Sequence, residues 1–376
     1  MINKSDVLVV GGGVTGTIAA ITLAESGARV TLLDAGINAG SDANAGSLHV
    51  QMQSRFMRLY PTQVPNVEAA LPFYKQAADM WEQIAAELGD IELVRKGGLM
   101  LAESEEQLAF LEVKAEREAA QGLSVEILRR ADLEKIAPWL GPHIVGAELC
   151  ADEGKLNPLI ANRRLRARTQ AVGVKHRRVK VDALEDTQSG IVAHTALGRF
   201  EAEQVVLAAA WGSGDLAAQY GGAIPSLAEP LHMNITEPAN LAISHLIQHA
   251  ERSITLKQFQ SGQIVIGGGW AAQDCGHDQP PAVRSQSFLG NVSLAAHLVP
   301  GIGNLRIIRT WAGMNTTTDG ASILGRLPTC QRIIMAMPGD AGYTLGPLVG
   351  RLAGDIALGK TPNTDIARFS PSRFFA

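Results

Sequence analysis

The spacing of apolar residues changes character at short intervals along the chain. Asp6–Val10 is a short, nearly continuous apolar run of the kind that suits a strand buried on both faces. Val14–Ser26 has helical spacing and is stopped by Gly27, and Arg29–Asp34 returns to a strand. From Asn38 to Gln53 the chain reads NAGSDANAGSLHVQMQ, too polar and too rich in small residues for a regular element. Phe73, Ala77, Met80, Ile84 and Leu88, at steps of four and three, predict a helix ending at Gly89. Leu93–Ala102 predicts a strand carrying a Gly-Gly pair. Ser104 and Gln107 then form a capping box for a helix ending near Gly122. Another strand and a short helix at Asp132–Ile136 follow, stopped by Pro138.

Further on, an arginine-rich helix falls within Glu153–Gly173 and a strand near Lys175–Leu184. Residues 200–217 run from a buried strand into a small-residue turn, and strand-like segments dominate 228–270. The chain then returns to an α/β pattern, with a strand at Ile333–Met337, the loop PGDAG and a helix from about Tyr343 to Leu358. No internal repeat or low-complexity tract interrupts this. The pattern predicts an α/β fold, a Rossmann-like doubly wound domain interrupted by a mostly antiparallel β domain with flanking helices. The expected boundaries are residues 1–90, 141–220 and 307–376 for the first domain, and 91–140 and 221–306 for the second.

Composition narrows the function classes. With 376 residues, 46% hydrophobic and 19% charged, the chain holds ample core material and exceeds one ordinary domain. A net charge of -4 gives no electrostatic reason to expect nucleic acid as a partner. The basic series Arg163, Arg164, Arg166, Arg168, Lys175, Arg177 and Arg178 is spread by its spacing over solvent faces. Cys150, Cys275 and Cys330 are far apart and offer neither a C-x-x-C metal or cluster site nor a disulfide framework, which suits a reducing compartment. No basic, apolar leader precedes Asp6 and no apolar run reaches membrane length, so a cytoplasmic protein without a transmembrane segment is expected.

The candidate chemistry begins at Gly11, Gly13 and Gly16, a G-x-G-x-x-G set directly between a strand and a helix. Gly11 permits the tight turn, Gly13 the approach of a diphosphate, and Gly16 the close packing of helix on strand. The free amides of the first helical turn, at Val14 and Thr15, face the anion. Asp34, 18 residues after Gly16, ends the second strand with Ala35 behind it, where a carboxylate accepts hydrogen bonds from ribose hydroxyls. An acid there, with no adjacent arginine in sequence, disfavours a 2′-phosphate. The motif alone leaves FAD and NAD open.

Five stretches together resemble the D-amino-acid oxidase-like family of FAD-dependent amine oxidoreductases, which includes glycine oxidase and sarcosine oxidase. They are the N-terminal glycine fingerprint, ANAGSL (43–48), VKVDALE (179–185), VVLAAAWGSG (205–214), and RTWAGMNTTTDGASILG (309–325) followed by GDAGYTLGPLVGRLAGDIALGK (339–360). The resemblance implies a resident FAD, and with no cysteine beside the expected ring position, a non-covalent one. It implies that Asn44, Ala45, Gly46, Ser47 and Leu48 lie over the flavin, that Val181 meets the adenine and that the turn at Ala209 lines the cofactor. The helix opening at Gly342 would then aim the amides of Tyr343, Thr344 and Leu345 at the flavin's pyrimidine edge, where a positive helix end favours the negative charge of the reduced ring.

The sequence departs from the family where a substrate carboxylate would be clamped. Asn315 stands at an expected arginine position, and Phe259 at another in the hairpin QFQSGQIVIG. Ala210 replaces a usual glycine in the turn at 208–214, the tryptophan there is shifted, and the GDAGYT loop is about two residues shorter than is typical. NAGSLHVQ and LKQFQSGQIVIGG look most like the β subunits of opine (octopine, nopaline) oxidases or dehydrogenases. That likeness implies oxidation of the C–N bond of a secondary amine by hydride transfer to flavin, giving an imine that water hydrolyses. It also implies a complex with a second flavoprotein and a small iron–sulfur subunit, so that FMN or an iron–sulfur cluster would sit in or at the partners. Two alternatives stay open: a stand-alone D-amino-acid or glycine oxidase, and a flavin-holding electron-relay subunit without its own substrate. Candidate catalytic groups are His49, Lys257 and Tyr343. No metal-ligand spacing stands out.

Overall fold

A computed structural model describes residues 3–37, 40–276 and 279–375. Asn38 and Ala39, which open the irregular stretch expected at 38–53, lie outside the described residues. The chain forms two compact units: Met1–Asp42, Leu159–Ala228 and Asn315–Ala376 make the first, and Ala43–Pro158 with Glu229–Met314 the second.

The first unit is built on a sheet whose five parallel strands stand in the order Lys175–Arg178, Val30–Asp34, Asn3–Val10, Gly198–Leu207 and Cys330–Met337. Ile323–Leu327 pairs antiparallel with the last of these, and the hairpin Val181–Thr187/Gly190–Thr195 joins Gly198–Leu207 antiparallel. Leu8, Val9, Leu32, Leu33, Val206 and Leu207 are completely or almost completely buried, as expected for strands covered on both faces. Val10 registers with both Leu33 and Leu207, so three strands end together at the point where strand order reverses. Ligands of open α/β sheets bind at that edge. The helices Val14–Glu25 and Gly342–Ala357 pack on one another.

The second unit carries an eight-stranded sheet in the order Ile307–Thr317, Leu227–Thr236, Ile264–Gly267, Thr255–Gln258, Leu246–His249, Gly98–Ala102, Gly146–Cys150 and Val125–Arg129. Leu246–His249 runs parallel to Gly98–Ala102, and the other registered pairs are antiparallel. Its core includes Leu99, Leu101, Ile247, Leu256, Ile264, Ile266 and Leu298. The Ser104 cap forms as expected, its hydroxyl accepting from the Gln107 amide at the head of Glu105–Ala120, while the return bond is shifted by one residue: the Gln107 side chain accepts from Glu103 N rather than from Ser104 N.

Several expectations shift. The unit boundaries differ from those expected: residues 43–90, 141–158 and 307–314 fall in the second unit, and 221–228 in the first. Ser47–Leu48 pairs antiparallel with Gly154–Lys155, and Glu153 holds the amides of Val50 and Gln51, so these segments are tied to each other. The stretch at 38–53 is not wholly irregular, since Gly40–Ala43 is a short helix. The strand expected from Leu93 starts only at Gly98, after a left-handed turn at Gly97. Helix Ser285–Leu298 carries a weak apolar signal because polar Ser287 and Asn291 sit on its buried face. No described helix is long and apolar enough to cross a membrane.

Candidate functional site

In the first unit, the glycine turn is enforced by backbone contacts. Gly11 has φ of 106°, and a methyl group there would lie 2.2 Å from the Ala208 carbonyl oxygen. At Gly16 a methyl group would meet the Gly11 carbonyl at 1.9 Å. The Asp34 carboxylate stands over the turn, its Oδ2 2.7 Å from where a Gly12 side chain would begin. The Val14 amide, first of the helix, donates to the Ser41 hydroxyl at 2.9 Å, and Gly13 lies beneath the same oxygen. Ser41 is a site neighbour that the motif does not predict; its only sequence signal is a serine in a small-residue stretch.

The C-terminal helix reaches this turn through Gly346, Gly350 and Gly354, one residue every four. Methyl groups there would lie 2.5 Å from Val14 Cγ1, 2.3 Å from the Thr15 oxygen and 3.0 Å from Thr22 Cβ. Absence of side chains thus sets two helix starts side by side, and their positive ends reinforce one another. Thr344 Oγ1 is buried there with no hydrogen-bond partner among the described residues. Tyr343 is buried and donates to Asn162 Oδ1 at 3.0 Å, while Asn162 Nδ2 donates to the Ser41 carbonyl at 2.7 Å. Burial pushes the Tyr343 phenol up, so it stays neutral. Leu345 is buried and its amide closes the first helical turn on Ala341 O.

Of the remaining expected contacts in this unit, Ala35 is exposed, Val181 is buried at a strand start, and the half-buried Ala209 donates its amide to Ser213 Oγ. Arg178 registers directly opposite Asp34 on the neighbouring strand, so an arginine does adjoin the acid, through pairing rather than sequence. Asn315 Nδ2 donates to Asp340 in the loop before the C-terminal helix. The turn stripped of side chains, the acid above it, the paired helix starts and the orphaned Thr344 hydroxyl fit a dinucleotide with a diphosphate and a charge-bearing ring.

In the second unit, Asn44 Oδ1 accepts from Gly46 N at 2.7 Å, and Ala45 is half-buried within this turn. A methyl group at Gly46 would meet the Leu156 carbonyl at 2.0 Å. Ser47 and Leu48 are buried, and the Ser47 hydroxyl accepts from Lys257 Nζ at 2.6 Å. Lys257 is fully buried, which excludes a surface lysine. Burial, helped by Lys155, brings its amine down to about 7. No carboxylate among the described residues lies within ion-pair distance of it. Lys155, which no motif marks, donates to Ile243 O at 2.6 Å and is brought down by burial to about 8.

Glu153, equally unmarked by any motif, accepts from the amides of Val50 and Gln51 and from the side chains of Gln51 and Gln248, anchoring the segment that follows Leu48. His49 is half-buried, with Nδ1 3.4 Å from Gln53 Nε2 and 3.8 Å from Glu153 Oε1. Trp311 packs, its indole donating to Ala43 O at 2.8 Å.

The family described as DAO, FAD dependent oxidoreductase, matches residues 6–356. Glycine oxidase of Bacillus licheniformis is 25% identical over 97% of this chain and 96% of its own. One of the opine oxidase subunits of Rhizobium meliloti is 26% identical over 99% of this chain and 98% of its own. The crystal structure of glycine oxidase from Geobacillus kaustophilus covers all of both chains, with a TM-score of 0.86 at 24% identity. The chain therefore belongs to the DAO family of FAD-dependent oxidoreductases, enzymes acting on amino compounds.

Proposed function

We propose that this protein oxidises the C–N bond of a secondary amine bearing carboxylates, an opine, and is the catalytic β subunit of a multi-subunit dehydrogenase or oxidase. The observation that carries the reading is Lys257: a buried amine with a hydroxyl for company and no counter-charge among the described residues. A carboxylate-bearing substrate supplies what this amine lacks. Two expected arginine positions hold Asn315 and Phe259, and Asn315 is already engaged with Asp340, which weighs against a small amino acid held head-on by arginines. The full-length similarity to an opine oxidase subunit points the same way. The similarly sized likeness to glycine oxidases keeps glycine and D-amino acids as the competing substrates.

In this reading Gly11, Gly13, Gly16 and the Thr15 amide would hold the diphosphate of FAD, with the Val14 amide joining them once Ser41 releases it, Asp34 and Ala35 at the adenosine ribose, and Val181 and Ala209 along the adenosine half. The start of the C-terminal helix, Gly342 to Thr344, would meet the charged edge of the ring; the Leu345 amide, expected to join it, is instead spent on Ala341 O, and Asn44–Leu48 keeps its expected role as a small-residue loop that contacts the cofactor. FAD, when bound, accepts the hydride from the carbon that bears the amine. Lys257 binds a substrate carboxylate in its charged form and can release its proton near neutral pH. Ser47 holds Nζ in place, and Glu153 fixes the backbone that presents His49.

The test is anaerobic mixing of the yellow protein with octopine, nopaline, glycine and simple D-amino acids. An opine should bleach the flavin, and Lys257→Met should raise the opine concentration needed. Bleaching by glycine or a D-amino acid alone refutes the opine assignment. Bleaching without turnover in air supports a partner, a second flavoprotein with an iron–sulfur subunit, as the electron acceptor.

A further inference from the structure

We propose that Glu103, His143 and His297 form a binding site for one divalent transition-metal ion, Zn2+ by donor type, with water completing a tetrahedral set. The three residues come from separate segments of the second unit: the end of strand Gly98–Ala102, the loop before strand Gly146–Cys150, and the last turn of helix Ser285–Leu298. One ligand atom from each lies within 4.8 Å of the others. Glu103 Oε1 is 3.0 Å from His143 Nε2 and 2.5 Å from His297 Nε2. The imidazoles stack with centroids 4.0 Å apart, so both edges present Nε2 to one carboxylate oxygen. His143 Nε2 is buried and makes no hydrogen bond among the described residues, despite its closeness to that oxygen. Tetrahedral zinc with bonds of about 2.0–2.1 Å to N and O spaces its donors about 3.3–3.4 Å apart, so His143 Nε2 needs to move out by a few tenths of an ångström and His297, on its half-exposed helix end, by nearly 1 Å.

The surroundings orient the ligands. The second carboxylate oxygen, Glu103 Oε2, is taken by Arg252 and by His249 Nε2 at 3.1 Å, which leaves Oε1 for the metal. His249 Nδ1 accepts from the amides of Glu251 and Arg252, so its proton sits on Nε2, facing Glu103. The backbone is equally fixed: Glu103 N donates to Gln107, Val145 N to Ala102 O, and Gly141 N to Leu298 O. Such partners behind a ligand are what sets a metal carboxylate's direction. Arg252 and Arg130 are the cations facing the cluster. Arg252 engages the far oxygen, and Arg130 is turned to Glu134 and the Gly141 carbonyl. Two nitrogens and one oxygen suit zinc, whereas calcium and magnesium prefer all-oxygen sets. Bound zinc would staple a strand end, a loop and a helix end.

The experiment uses the full FAD-loaded chain, stripped with a chelator and titrated with Zn2+ against a chromophoric competitor. Wild type should take one tight equivalent, and Zn2+ should raise its melting temperature. His297→Ala, at a half-exposed position that should not disturb folding, and Glu103→Gln should each weaken binding more than tenfold and abolish the melting shift. His194→Ala, which removes a surface histidine paired with Glu185, should change neither. Co2+ should give the intense ligand-field bands of four-coordination in wild type only. Absence of a tight equivalent in wild type, or unchanged affinity and melting shift in His297→Ala, would overturn the site.

Discussion

Gly350→Ala sets two effects of opposite sign against each other. Helix propensity alone favours alanine by about 1 kcal/mol at an interior position. The structure reverses this. The new methyl group would sit 2.3 Å from the Thr15 carbonyl oxygen and 3.2 Å from the Ala19 amide nitrogen, where ordinary contact begins at 3.4 Å. Both obstacles are backbone, which cannot rotate away, so the C-terminal helix must retreat by about 1 Å. Overpacking of this kind costs about 1–3 kcal/mol. A gap of that size also forfeits a quarter to a half of the dispersion energy at each affected contact.

The net expectation is a loss of up to about 2 kcal/mol in urea unfolding of the apoprotein, combining these opposing contributions. The retreat separates the two helix starts, so FAD affinity should fall roughly tenfold, equivalent to about 1.4 kcal/mol. Circular dichroism in urea and fluorescence titration with FAD read the two quantities. Gly212→Ala is the control, a helix-start glycine whose nearest obstacle is Ala209 Cβ at 4.0 Å, and it should be neutral or stabilising. A Gly350→Ala protein as stable as its parent, with unchanged FAD affinity, would refute the idea that the glycine seam sets the site.

Lys257 predicts a pH dependence. Its folded value, about 7, lies below the ordinary 10.5, so the unfolded chain binds more protons between those limits. This group's contribution to stability therefore rises with pH from about 7 to 10.5, by at most about 1.4 kcal/mol per pH unit, and its penalty is complete below pH 7. Lys257→Met should remove that slope and stabilise the protein by a few kcal/mol at pH 6 while impairing oxidation. Equal slopes in the two proteins by urea unfolding would dismiss it. Ala210 holds a left-handed φ of 53° where glycine is usual in the family. Ala210→Gly should therefore stabilise by about 1 kcal/mol in thermal unfolding, and a loss would show that its methyl group packs usefully. Ser104→Ala should cost about 1 kcal/mol by the same measurement, through loss of the cap on Glu105–Ala120.

What was legible in the sequence is what local chemistry dictates. The strand–glycine–helix start, the acid at the end of the next strand, the Ser104 cap and the helix ending at Gly89 each depend on neighbours a few residues away, and all stand in the structure. The resemblance to the family also marked Asn315 and Phe259 as departures. It could not show that Asn315 would meet Asp340, that Arg178 would stand beside Asp34, or that Lys257 would be sealed from water beside Ser47. Those are contacts between strands and loops far apart in sequence, where side-chain identity is constrained weakly until packing removes the solvent.

The domain boundaries moved for the same reason: Glu153 and the pairing of Ser47–Leu48 with Gly154–Lys155 act across about a hundred residues. Gly346, Gly350 and Gly354 look like unremarkable helix glycines until the N-terminal helix lies against them. The sequence by itself determined the strand–glycine–helix turn that marks a dinucleotide site, because that chemistry is written in one turn. Only the tertiary structure decided which buried charges lack partners and which histidines meet, because desolvation and proximity are properties of the packed chain.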